Sequence, residues 1–246
     1  MLRHAGQKRS FKQNLRLAIM LCINAGFINA AGFLAFNVLT TNVTGHAALL
    51  AVDIASMNLR SARMVVLWLI LFLLGAFTSS FIISRVGRNR FYGYATPMIV
   101  IILIVLMVAL FGKNYQYTLS ETEVFAGSLL FGMGMQNAMV SMISGAVVRT
   151  THLTGMFTDL GIDLATLFRQ HQEQSSALKR RIVLKLAIII SFLLGGILGA
   201  LLFNSVSFTA FFIPALILVL AMCYDFFRIK ISRWANRYWR KRSIKH

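Results

Sequence analysis

Six long apolar runs alternate with polar stretches along the chain, over roughly 15–38, 64–84, 93–112, 124–147, 185–203 and 208–227. At about 1.5 Å per residue, helices of this length are matched to a hydrocarbon layer about 30 Å thick. Two shorter stretches, about 43–59 and 152–168, also read as helical but carry Asp53 in the first and Asp159 and Asp163 in the second. No series of runs alternates residue by residue, so a β-barrel is not expected. The pattern predicts an all-α, polytopic helical membrane protein with six long spans and two short helices.

The polar landmarks recur. Residues 41–45 read Thr-Asn-Val-Thr-Gly and residues 151–155 read Thr-His-Leu-Thr-Gly, with Asp53 and Asp163 each eight residues beyond the glycine. Upstream, Gly26 and Asn29-Ala30 match Gly134 and Asn137-Ala138 at an offset of 108. Downstream, Leu73-Leu74-Gly75 matches Leu193-Leu194-Gly195 at 120, and Pro97 matches Pro214, the only two prolines, at 117. Four landmarks in one order point to two sequence-related halves, each long–short–long–long. The expected divisions are a basic N-terminus (1–14), a first membrane repeat (15–112), a polar loop (113–123), a second membrane repeat (124–227) and a basic, aromatic tail (228–246). The opening LAIMLCI has the look of a signal peptide. The apolar run continues to Leu39, however, and the region recurs, so it is read as part of the fold.

Composition sharpens the class. Apolar residues make up 58% of the 246 and charged residues only 13%, too few to cover a soluble surface. The net charge of +18 does not point to nucleic acid, because the basic residues cluster at the ends of apolar runs. Arg3, Lys8, Arg9, Lys12 and Arg16 precede the first run, Arg85, Arg88 and Arg90 follow the second, and Lys179, Arg180, Arg181 and Lys185 precede the fifth. This is the positive-inside signature, which predicts that both termini are cytoplasmic. If the short helices cross, the halves are parallel; if they are re-entrant, the second half is inverted. Counting basic residues separates the two poorly. The acidic short helices lean towards re-entrance, since carboxylates are costly in lipid. Cys22 and Cys223 lie inside apolar runs and suggest no disulfide framework.

The candidate chemistry follows the repeated motifs. A helix that begins at mid-depth presents free N–H groups, which Thr44 and Thr154 could cap and to which Gly45 and Gly155 would allow close approach. Asp53 and Asp163 lie slightly over two turns on, suited to carrying a proton or cation or to pairing with Arg60, Arg63, Arg149 or Arg169. Asn29, Gln136 and Asn137 could line the opposite wall or bond between helices. His46 and His152 are not equivalent in the two motifs and have no nearby Cys, so no metal or other cofactor is expected. Gly75-x-x-x-Ser79 and Gly195-x-x-x-Gly199 favour close packing, between halves or between subunits of a homo-oligomer. The tail interleaves Trp234, Tyr238 and Trp239 with basic residues, as suits an interfacial helix on anionic lipid.

The segments Gly26–Gly32, Thr41–Gly45, Gly134–Ala138 and Arg149–Gly155 resemble the YoaK family of bacterial membrane proteins of unknown function. The resemblance runs from about residue 15 to 227; His46 stands where that family often has Asn. It implies the architecture and names no reaction. The expected function is a transporter or channel for a small polar solute. Its substrate-binding residues would be Thr44, Gly45, Asp53, Thr154, Gly155, Asp163, Asn29 and Asn137, set between the halves. The alternatives are a membrane-embedded enzyme using Asp53 and Asp163 as a dyad, and a structural or lipid-interacting membrane protein.

Overall fold

The computed structural model describes residues 10–87, 90–116, 118–169 and 175–224. Among these the chain forms helices and turns with no strand. In order they are α1 (Phe11–Phe36), α2 (Val43–Ala55), α3 (Leu59–Val86), α4 (Phe91–Phe111), α5 (Leu119–Ser144), α6 (Leu153–Arg169) and α7 (Ser175–Val206). A 3-10 turn, Ser207–Phe211, and a last helical stretch, α8 (212–224), complete it. The tail 228–246 and residues 1–9 of the expected N-terminal segment lie outside the described residues.

Local sequence accounts for the helix ends. Ser10 caps α1 in a capping box with Gln13, and Thr118 caps α5 by accepting from the Glu121 amide. Asn37 and Gly145 stop the same two helices in the left-handed conformation that these residue types tolerate. Among the described residues, four segments are long and apolar enough to cross a membrane: Phe11–Phe36, Leu59–Val86, Phe91–Asn114 and Ser176–Tyr224. The six expected runs reduce to four for two reasons. The apolar stretch 176–224 contains both α7 and α8, folded apart at Ser207 (φ 52°). And α5, with its glycines, serines, glutamine and asparagine, falls outside that group.

Side-chain contacts fix the helix directions. Phe36, at the end of α1, stacks on Phe125 near the start of α5 (5.7 Å), while Asn24 bonds Gln136 deeper in both helices (2.7 Å). The two helices are therefore antiparallel. Phe36 also meets Phe208, which packs on Phe203 of α7 and faces Gly112 at the end of α4. So α1, α4 and α7 all finish at one end of the bundle, the far end, where α5 begins. The chain returns along α8 to the near end, where Arg16 bonds the Tyr224 hydroxyl (3.1 Å). α3 runs with α5, since Leu71 meets Gly127 and Gly75 meets Phe131. The second half thus runs opposite to the first.

Two helix crossings hold the bundle, and each is made of glycine against backbone. A Cβ on Gly26 would strike the Phe192 carbonyl and the Gly196 amide; one on Gly134 would strike the Phe72 carbonyl and the Ala76 amide. Likewise Gly195 sits on the Ile23 carbonyl and Gly75 on the Phe131 carbonyl. These contacts correspond pair by pair at the offsets of 108 and 120 read from the sequence. The third helix of each half therefore packs on the first helix of the other: α1 with α7, α3 with α5. Small residues permit this approach, and dispersion supplies the gain that water-driven burial cannot supply in lipid.

Each short helix packs antiparallel on the long helix that follows it. After α1 the chain turns back along it, placing Thr40 against Gly32 and Thr41 on Asn29, about two turns inside the far end. From there α2 climbs antiparallel to α3, with His46 beside Trp68 and Asp53 on Ser61. α6 does the same against α7 at the near end, with Asp163 on Arg181 and Lys185. The stripe His46, Leu50, Asp53 that faces α3 corresponds at an offset of 110 to Met156, Leu160, Asp163. The outward faces are apolar and exposed, as at Val52 and Phe157.

Candidate functional site

The first helices of the two halves meet through a polar contact in an apolar surrounding. Asn24, fully buried, donates from Nδ2 to Gln136 Oε1 (2.7 Å), and Gln136 Nε2 donates to the Leu21 carbonyl (2.9 Å). A buried amide left unpaired costs about 1–3 kcal/mol, so this pair fixes how α1 lies on α5. Asn24 Oδ1 has no hydrogen-bond partner among the described residues. The sequence singled out Gln136 but not Asn24, whose position in the second half is Gly132.

Asn29 and Asn137 occupy matching positions and behave differently. Asn29 Oδ1 accepts from both the Thr41 amide (3.1 Å) and the Thr41 hydroxyl (2.9 Å), tying α1 to the turn before α2. The matching partner of Asn137 is Thr151. That bond is not made: Asn137 Oδ1 is buried without a hydrogen-bond partner among the described residues. One end of the bundle is latched and the other is not.

The Thr-Gly motifs lie at the starts of the short helices α2 and α6, but their roles differ from those expected. Asn42, not Thr44, caps α2, accepting from the Gly45 amide (3.0 Å). Asparagine is the better cap, and Thr44 stands exposed one position inside the first turn. Gly45 leaves room for the Asn42 side chain and Gly155 for the His152 ring, so each glycine serves its own turn. Thr154 is exposed, and its carbonyl accepts from the Thr158 hydroxyl. α2 packs on α3 and α6 on α7, and the two motifs are not brought into mutual contact.

The two aspartates are separated. Asp53 accepts from the Ser61 hydroxyl (2.6 Å) at the far end. Asp163, 2% exposed, is held by Arg181 and Lys185, both at 2.7 Å, at the near end. Lys185 also donates to the Asp159 carbonyl (2.8 Å) and lies 4.0 Å from its carboxylate. A carboxylate dyad is thereby removed, since its members must share a proton across a hydrogen bond and here sit at opposite ends. The expected arginine partners of Asp163 are replaced by Arg181 and Lys185. These were legible as membrane-flanking charges only, although Ser61 and Arg181 stand at the offset of 120 that relates the crossings.

The family of proteins of unknown function designated DUF1275 matches residues 17–224, and the chain belongs to it. No curated protein and no solved structure matches the chain.

Proposed function

We propose that this member of a family of unknown function is a bacterial inner-membrane transporter for a small polar solute, with both termini cytoplasmic and α2 and α6 re-entrant. The helical, apolar fold fits a membrane protein. The reading of transport rests on one observation: the contact Asn29–Thr41 is made and its counterpart Asn137–Thr151 is not. In a bundle built from two opposed halves, the two ends are then in different states. Exchange of those states moves access from one face to the other around a fixed centre, here the Asn24–Gln136 contact. In this reading the halves arose by duplication, in keeping with the resemblance to the YoaK family. Asn29 and Asn137 gate the passage. Thr44, Gly45, Thr154 and Gly155 border it from the helix starts, and Asp53 and Asp163 anchor α2 and α6. In the same reading the positive charge of residues 228–246 attracts anionic lipid.

Disulfide trapping tests the exchange without knowledge of the solute. Cys22 and Cys223 are replaced by Ala, and the pairs N29C/T41C and N137C/T151C are introduced separately and together. The first pair is expected to cross-link faster, and its closure to suppress the second. Cross-linking of both pairs in one molecule, each at the rate seen alone, would refute alternating closure.

A further inference from the structure

The slot in which α2 rests on α3 holds two aromatic side chains, His46 (3% exposed) and Trp68 (9% exposed), with ring centroids 5.4 Å apart. The corresponding slot between α6 and α7, at the offsets of 110 and 120, holds Met156 and Ile188. Both of those are buried. The matching slot is thus filled by two apolar side chains; here His46 Nε2 meets the Leu39 carbonyl, while no contact among the described residues uses His46 Nδ1 or the Trp68 indole N–H.

Two of the three ring nitrogens are left unpaired among the described residues. His46 Nε2 lies 2.8 Å from the Leu39 carbonyl, which can only accept, so the ring proton is on Nε2 and Nδ1 keeps its lone pair in the neutral ring. Nδ1 is buried and has no hydrogen-bond partner among the described residues; the same is true of the Trp68 indole N–H. The two neighbouring rings thus leave one acceptor and one donor unpaired, and a hydroxyl group is the simplest group that can both accept from an indole N–H and donate to an imidazole nitrogen. Formal charge is kept out of the slot. On α2 the carboxylate of Asp53 lies two turns away on Ser61, and on α3 Arg60 and Arg63 are exposed near the helix start.

We infer that His46 and Trp68 form a binding site for the hydroxyl of a small uncharged solute such as a short polyol. This names the substrate class of the transport reading and rests on it for its physiological meaning, while binding itself is measured separately. Replacing Trp234 and Trp239 with Phe leaves Trp68 as the only tryptophan of the full chain. The purified protein is titrated with glycerol and erythritol, and with acetate and ammonium as charged controls. A saturable change in Trp68 emission is expected with a polyol and not with the ions. Half-saturation should rise at least tenfold in H46M, which installs the side chain of the matching position. Should H46M fail to fold, H46F keeps a ring against Trp68 and removes both nitrogens. A response that is absent, linear in concentration, unchanged in the variant, or saturable only with an ion overturns the site. Polyol-driven swelling of proteoliposomes is read in parallel. Binding without swelling refutes transport and leaves the site standing; swelling without a saturable emission change refutes the site alone.

Discussion

Alanine at Gly26 or Gly134 is the sharpest test of how the bundle is held. At either position the new methyl meets a carbonyl oxygen and an amide nitrogen of the facing helix, Phe192 and Gly196 in one crossing, Phe72 and Ala76 in the other. These atoms are main chain, so no rotamer change relieves the overlap, and the helices must part along the whole crossing. Forcing one methyl into a packed contact costs about 1–3 kcal/mol. At about 1.4 kcal/mol per tenfold, that is a loss of about five- to 150-fold in the folding equilibrium. Gly161 on α6 supplies the control, since a Cβ there meets nothing within 4 Å. Helix propensity alone then favours G161A by up to about 1 kcal/mol. Reversible unfolding in mixed micelles, followed by circular dichroism, should lower stability in G26A and G134A by similar amounts and leave G161A equal to wild type or above it. If G26A and G134A unfold with G161A, the helices do not approach as described.

Three further outcomes follow from the polar contacts. D163N leaves Lys185 and Arg181 without their buried counter-charge. The loss expected is near the low end of about 3–5 kcal/mol, because Arg181 is largely exposed, and D163N/K185M should recover part of it in the same unfolding assay. D53N keeps an acceptor for the Ser61 hydroxyl and should cost less than D163N, a ranking that the same measurement checks. N24V strands Gln136 Oε1 and should destabilise by about 1–3 kcal/mol, whereas N24V/Q136L should lie closer to wild type; a double variant worse than N24V would contradict the pairing.

What the sequence revealed follows from what periodicity can carry. The spans appear because apolar runs of span length are visible one residue at a time. α7, however, begins at Ser175 rather than near 185, since Lys179 to Lys185 read as flanking charge although they are helical. The repeated Thr-Gly segments stand at the starts of two short helices, α2 and α6. Their capping group was misplaced because the competition between Asn42 and Thr44 is decided by backbone geometry, not by residue type alone. Asn24 was invisible: its meaning depends on Gln136, 112 residues away, and on an antiparallel α1–α5 contact that no local pattern encodes. The gap between Asn29 and Asn137 was also hidden, because identical residues at matched positions differ only in whether a threonine has arrived.

The interlaced crossings set a timetable for biosynthesis. α1 is made first, but the surface of α7 that covers Gly26 emerges about 170 residues later. At about 5–20 residues per second, ribosomal elongation leaves α1 without that mate for about 8–30 s. During this interval Asn24 faces lipid or the insertion machinery, since Gln136 is itself still to come. Membrane integration of the first half must therefore tolerate an unsealed helix. Separately expressed fragments cut between α4 and α5 would each lack the mates they need, and would be expected to survive only when produced together.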